Sequence, residues 1–173
     1  FCAGTSVTFT ATGGTSYNFR INGVSVQSST VSTYNTNSLT NGQVVDVIVT
    51  SSNGCQSAST GITNTVSALP LPTLVSSDAD NIFCAGTGIT FTAGGGTNYN
   101  FRIGAVTVQN GATETYSTSS LTDGQIVTVI VTNSNGCIAA SGGITNTVHA
   151  VPVANAGTGG DECDLNFTFS AIP

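Results

Sequence analysis

Five cysteines, one histidine, eight carboxylates and two arginines carry most of the reactive chemistry available to these 173 residues. The cysteines are Cys2, Cys55, Cys84, Cys137 and Cys163, and no two stand in a Cys-x-x-Cys spacing. A structural zinc site draws on close-spaced Cys and His pairs, which scattered cysteines and a single His149 do not supply. Oxidation to disulfides fits better and implies an oxidising compartment. Buried free thiols are the other reading, and Cys163 could alternatively be a reactive thiol.

Five of the eight carboxylates fall into two clusters. Asp78, Asp80 and Asn81 form one, and Asp161, Glu162 and Asp164 form the other. Calcium takes several hard oxygen ligands, so either cluster could hold an ion and stiffen a junction between folded segments. Ordinary solvated turns have the same composition. No Gly-x-Ser-x-Gly elbow occurs, and Gly94-Gly95-Gly96 reads as a turn rather than a phosphate cradle. The expectation is a protein that is not an enzyme, with no cofactor beyond the candidate calcium. Arg20 and Arg102 are candidate binding residues, for a glycan or for a neighbouring carboxylate. A solubilising role on an exposed sheet face is the plainer alternative.

Composition narrows the classes further. Charged residues make up 6% of the chain, lysine is absent and the net charge is −6. A nucleic-acid partner needs a basic face that two arginines do not make. Helical bundles need far more Ala, Glu, Lys and Leu. Mean hydropathy of +0.23 and abundant β-branched residues argue against disorder. No apolar run approaches the ~20 residues of a membrane span.

The elements that must position these groups come in duplicate. Shifted by 82 residues, the chain overlays itself without a gap. Phe1-Cys-Ala-Gly-Thr5 matches Phe83-Cys-Ala-Gly-Thr87, and Tyr17-Asn-Phe-Arg-Ile21 matches Tyr99-Asn-Phe-Arg-Ile103. Asn53-Gly-Cys55 matches Asn135-Gly-Cys137, and Gly61-Ile-Thr-Asn-Thr-Val66 matches Gly143-Ile-Thr-Asn-Thr-Val148. About two-thirds of the aligned residues are identical, as in tandem repeats. His149 falls where the first copy has Ser67, and Thr128 falls where it has Asp46, so no acid–base pair recurs.

Within a copy the hydrophobic period is two. Val7, Phe9 and Ala11 alternate with threonines, Tyr17, Phe19 and Ile21 with polar residues, and Val45, Val47 and Val49 line one face. Strands are predicted at 7–12, 16–21, 24–28, 31–37, 43–51 and 61–67, with 72–77 opening the next copy. Asn22-Gly23, Asn41-Gly42 and Asn53-Gly54 are hairpin signals, and Gly104-Ala105 suits a type II′ turn. The predicted fold is all-β: tandem immunoglobulin-like β-sandwich modules with one disulfide each. Cys2 with Cys55 and Cys84 with Cys137 each bracket most of a copy and are the expected pairs. The expected division is 1–69 (a repeat lacking its first strand), 70–152 (a second repeat) and 153–173 (a linker and the start of a truncated third). Both ends read as cut from a longer array. Tyr34 and Tyr116 are expected at the core or its edge. Thr8, Thr10, Thr12, Thr90 and Thr92 could form an ice- or carbohydrate-binding face, or simply favour strands. Asn166-Phe-Thr168 matches a glycosylation sequon.

The run Phe-Cys-Ala-Gly…Tyr-Asn-Phe-Arg-Ile-Asn-Gly…Leu-Thr-Asn-Gly-Gln-Val-Val…Ser-Asn-Gly-Cys resembles the Ig-like and PKD-like repeats of giant secreted surface proteins of Bacteroidetes. Ala154-Asn-Ala-Gly-Thr-Gly-Gly-Asp-Glu-Cys163 resembles the start of a related repeat. The resemblance implies export by type IX secretion, a place on the cell surface, and service as an adhesin, gliding-associated filament or stalk. It transfers no catalytic motif. The expected function is therefore a structural stalk of an extracellular adhesin or filament, whose partners are neighbouring modules of the same chain. The alternatives are a glycan-binding sheet face, or a fibre in which residues 163–173 complete another chain's sheet.

Overall fold

Alternation of bulky and polar side chains gives each strand one face to bury, and the strands pair so that those faces meet. The structure, a computed structural model, describes residues 1–155. The acidic residues Asp161, Glu162 and Asp164, the sequon at Asn166 and the tail 163–173 lie outside the described residues. In the first sequence copy the strands are β1 (Val7–Thr10), β2 (Ser16–Ile21), β3 (Val24–Ser29), β4 (Thr33–Thr36), β5 (Val44–Thr50), β6 (Gln56–Ala58) and β7 (Ile62–Thr63). Then come β8 (Thr73–Ser76), β9 (Ile82–Cys84), β10 (Ile89–Gly94), β11 (Asn98–Ile103), β12 (Val106–Gly111), β13 (Thr115–Thr118), β14 (Ile126–Thr132), β15 (Ile138–Ala140), β16 (Ile144–Thr145) and β17 (Thr147–His149). No helix occurs among the described residues.

One sheet of the second copy has the order β12-β11-β14-β15, with β16 also on β14, and the other has β13-β10-β8. Their inner faces meet in a single core. Phe91 from β10, Phe101 from β11 and Val127, Val129 and Val131 from β14 are fully buried together. This is a two-sheet sandwich of immunoglobulin-like order, with β12 paired to β11 in the larger sheet. The first copy repeats the registers at a shift of 82. Phe19 opposes Val47 as Phe101 opposes Val129, and Phe9 opposes Tyr34 as Phe91 opposes Tyr116. Tyr34 and Tyr116 pack at the core edge, each with its ring centroid 5.8 Å from Phe19 or Phe101.

Three sequence expectations are corrected. Asn22 and Gly23 have φ of 50° and 80°, the turn that a two-residue hairpin requires. Asn41 and Asn53 do not reach positive φ; only Gly42 and Gly54 do. At Asn53 the Gly54 amide donates to the Ser51 carbonyl and Ser51 to the Cys55 carbonyl, so the connection is a three-residue loop closed by a left-handed glycine. Second, residues 61–67 are not one strand. β6 and β7 both line the edge of β5, and Ser67 pairs instead with Cys2. Third, the pairs Cys2–Cys55 and Cys84–Cys137 are not formed. Cys2 is bonded to Cys137, 135 residues away, with Cα atoms 5.6 Å apart, and Cys55 and Cys84 are exposed free thiols. The cause is strand direction. Cys2 lies beside Ser67, close to where β5 begins, while Cys55 follows where β5 ends. Seven strand residues at ~3.3 Å each hold the two roughly 20 Å apart, beyond the ~7 Å reach of a disulfide.

The copies differ in one element. β10 is paired on both edges, by β13 and β8, whereas β1 is paired by β4 alone. β10 accordingly runs on to Gly94, where Ala93 and Gly94 oppose Leu74 and Thr73. β1 stops at Thr10. Phe91 is fully buried, but its equivalent Phe9 is only partly so.

Candidate functional site: the joint between the copies

The end of the first copy is fixed by its own backbone. Ala3 donates to the Ser67 carbonyl and Ser67 to the Phe1 carbonyl, both at 2.9 Å, and Thr5 donates to the Cys2 carbonyl at 3.1 Å. These bonds hold the Cys2 side chain beside the start of the linker Ala68-Leu-Pro-Leu-Pro72. The facing element of the second copy is the hairpin between β14 and β15. Its glycine, Gly136, takes a φ of 77°, and the Asn133 amide donates to the Cys137 carbonyl at 2.9 Å. The Asn133 side chain works in both directions. Its Oδ1 accepts from the amides of Asn135 and Cys137 at 3.0 Å, and its Nδ2 donates to the Ala68 carbonyl at 2.9 Å. Cys137 is 1% exposed.

The linker then lies down on the second copy. Pro70 is buried, and the Leu71 carbonyl passes so close to Gly95, at a φ of 95°, that any side chain there would strike it. β8 follows directly and takes its place on β10. The joint is thus tied by the peptide chain, by the Asn133 amide and by the Cys2–Cys137 bond. A loop of this length restricts the unfolded chain by about 5 kcal/mol on the loop-entropy account.

The residues singled out by sequence lie elsewhere. The Arg20 guanidinium forms a two-pronged pair with Asp46, Nε to Oδ1 at 2.9 Å and Nη2 to Oδ2 at 2.5 Å. The hydrogen bonding that Arg20 donates to Asp46 holds the guanidinium pKa above its ordinary value, against a lowering by desolvation, and the Asp46 charge adds the smallest contribution. With Thr128 in place of Asp46, Arg102 donates instead to the Ala105 carbonyl, and its buried Nε has no partner. Asp78 and Asp80 both accept from the Ile82 amide, at 3.2 and 3.1 Å, and so close the turn before β9. No group of three or more metal-ligating side chains occurs among the described residues. His149 is an exposed strand-end residue whose backbone pairs with Cys84. The threonine face is tied by hydroxyl bonds, Asn35 to Thr8 at 2.8 Å and Thr90 with Ser117 at 2.7 Å.

Sequence reasoning missed Asn133, Asn64 and Asn146. Asn146 is fully buried, and its Nδ2 donates to the carbonyls of Gln125 and Ile144; Asn64 does the same to Gln43 and Ile62. The signal was the polar residue repeated inside Gly-Ile-Thr-Asn-Thr-Val, where alternation alone offers no reason for an amide.

A second feature accompanies the joint. Along the free edge of β1 an open cavity of about 1100 Å³ is lined by Val7, Phe9, Ala11, Val45, Val47 and Cys55, among others.

No family model matches the sequence, and no curated protein matches it. Among solved structures, the chain is similar to fibronectin(III)-like modules of Clostridium thermocellum CbhA, with 15% identity, 87% of each chain covered and a TM-score of 0.47. It is similar to the amphioxus IgVJ-C2 molecule at 13% identity, covering 85% of this chain and 98% of that one, with a TM-score of 0.36. It also resembles the Bacteroides ovatus mixed-linkage glucan utilization locus SGBP-B, solved with a mixed-linkage heptasaccharide, at 17% identity, 84% and 41% coverage and a TM-score of 0.34. The strand order and shared core, rather than these likenesses, identify the sandwich.

Proposed function

We propose that the chain is a non-catalytic, load-bearing spacer of an extracellular surface protein. Residues 1–69 and 70–152 act as two modules held in fixed relation, and the stretch from 153 leads toward a further one. The observation that carries this reading is the Cys2–Cys137 bond, which joins the two copies rather than closing either. A disulfide inside one sandwich would stabilise that sandwich; one across a junction restrains how neighbours tilt. Disulfides persist outside the cytosol, which supports an exported location, and the Pro-containing linker adds stiffness. Export by type IX secretion and membership of an adhesin or filament belong to the same proposal and rest on the sequence resemblance. The reading does not require calcium at the turn where Asp78 and Asp80 accept from the Ile82 amide.

Small-angle scattering tests the reading. The oxidised protein is expected to give one narrow distribution of interatomic distances. Cys2→Ser with Cys137→Ser is expected to broaden it while the β-sheet circular dichroism stays unchanged. Superimposable profiles with and without the bond would overturn the spacer reading.

A further inference from the structure

Cys55 and Cys84 are the 82-residue equivalents of the bonded cysteines, and each sits in the same local frame as its counterpart. Ser51 donates to the Cys55 carbonyl at 2.9 Å and Gly54 to the Ser51 carbonyl at 3.0 Å, the same bonds and distances that frame Cys137. Thr87 donates to the Cys84 carbonyl at 3.1 Å, as Thr5 does to Cys2, and Ala85 donates to His149 as Ala3 does to Ser67. What differs is cover. Cys137 is buried and Cys55 exposed; Pro70 is buried and its equivalent Pro152 exposed. An independent observation points to the same partner. The cavity along β1 reaches Cys55, and the corresponding edge of β10 is covered by β8, the strand that arrives with the linker.

We propose that Cys84 and Cys55 are the two halves of a second joint of the same kind, through which this chain links head to tail with another repeat of its own type. This rests on the spacer reading and extends it. The Cys84 side supplies the cysteine and the tail beginning Val151-Pro-Val153, which aligns with Leu69-Pro-Leu71. The Cys55 side supplies the hairpin cysteine and the free edge of β1, on which Val151-Pro-Val153 packs as Leu69-Pro-Leu71 packs on the second copy. The bond forms by thiol–disulfide exchange with a small-molecule disulfide such as oxidised glutathione. The Cys84 thiolate displaces one glutathione thiolate, and the Cys55 thiolate of the partner displaces the other. Two protein thiols and one glutathione disulfide become one protein disulfide and two glutathione thiols.

The test uses a second copy of the chain as partner, in a Cys163→Ser background that keeps the fifth thiol out of the reaction. Cys55→Ser and Cys84→Ser proteins are mixed in a glutathione redox buffer, and the disulfides are mapped by mass spectrometry of unreduced peptides. Random collision gives Cys84–Cys55, Cys84–Cys84 and Cys55–Cys55 in a ratio of about 2:1:1. Docking is expected to enrich Cys84–Cys55 about tenfold over each like pair, through the higher effective concentration of the matched ends. In the linked dimer, hydrogen exchange at Val7–Thr10 of the Cys55-bearing chain is expected to slow about tenfold or more. A statistical ratio, thiols that end only as glutathione adducts, or unchanged exchange along β1 would overturn the proposal. Cys2 and Cys137 are intact in both proteins, so these failures are separate from failure of the scattering test.

Discussion

The most consequential residues are amides rather than charges. Asn146 is sealed from solvent, and its Nδ2 bridges the carbonyls of Gln125 and Ile144, while its backbone pairs with Gln125 and Gly124. Replacing it with alanine removes both side-chain bonds, leaving the Gln125 carbonyl only the Asn146 backbone amide and depriving the Ile144 carbonyl of this donor, so Asn146→Ala is expected to lower stability by about 2 kcal/mol in urea unfolding. Asn146→Asp should cost more than alanine, because a carboxylate in place of the amide would face two carbonyl oxygens. Arg20 behaves differently. Its pair with Asp46 raises the guanidinium pKa, so the contribution is fully present below the ordinary arginine range and fades only above it. The stability difference between native protein and Arg20→Gln is therefore expected to be the same at about pH 7 and pH 10, measured by urea unfolding at each. Neither the amide pins nor the cysteine partners were legible in sequence. Spacing reveals which cysteines recur and how long a loop they would close. It does not reveal that β5 carries Cys55 to the far end of its sandwich from Cys2.

At the scale of elements, alternation placed β2 and β5 closely, because each buries one face with a period of two, whereas β3 buries neither face and follows from the Asn22-Gly23 turn that folds it back on β2. It failed at β6 and β7. Gln56-Ser-Ala58 has no apolar face and is a strand only because the edge of β5 offers it hydrogen bonds. It also overstated β1, whose sequence is as strand-like as that of β10. The shortfall comes from a missing neighbour. β10 is held on two edges and its core includes Leu74 from β8, whereas β1 has one paired edge and a core of Ala11, Tyr17, Phe19 and Val47. Local opening should therefore be easier in the first copy. In the monomer, amides of Val7–Thr10 are expected to exchange about tenfold or more faster than those of Ile89–Thr92, read by hydrogen exchange with mass spectrometry. Equal protection of the two strands would mean that the free edge of β1 carries no energetic cost.

For the whole molecule, duplication was the plainest feature of the sequence, yet what the duplication is for depends on a bond that crosses it. A bridge from Cys2 to Cys137 changes the route of force through the chain. Tension applied at Phe1 enters Cys2 almost at once, passes through sulfur to Cys137 and leaves toward Asn155. The residues between the two cysteines, which include the whole first core and most of the second, lie outside that path. With handles at Phe1 and Asn155, only about 20 residues can be drawn out, so the oxidised chain should lengthen by no more than ~7 nm before covalent bonds bear the load. After reduction the same pull reaches the full contour of the described residues, on the order of 50 nm. Single-molecule force spectroscopy with and without reductant separates the two cases by their contour lengths. Equal contour lengths would show that the bond does not span the joint. If the short length is found, a module with a small core resists extension because the bond diverts the load around it, and sheet stability need not supply that resistance.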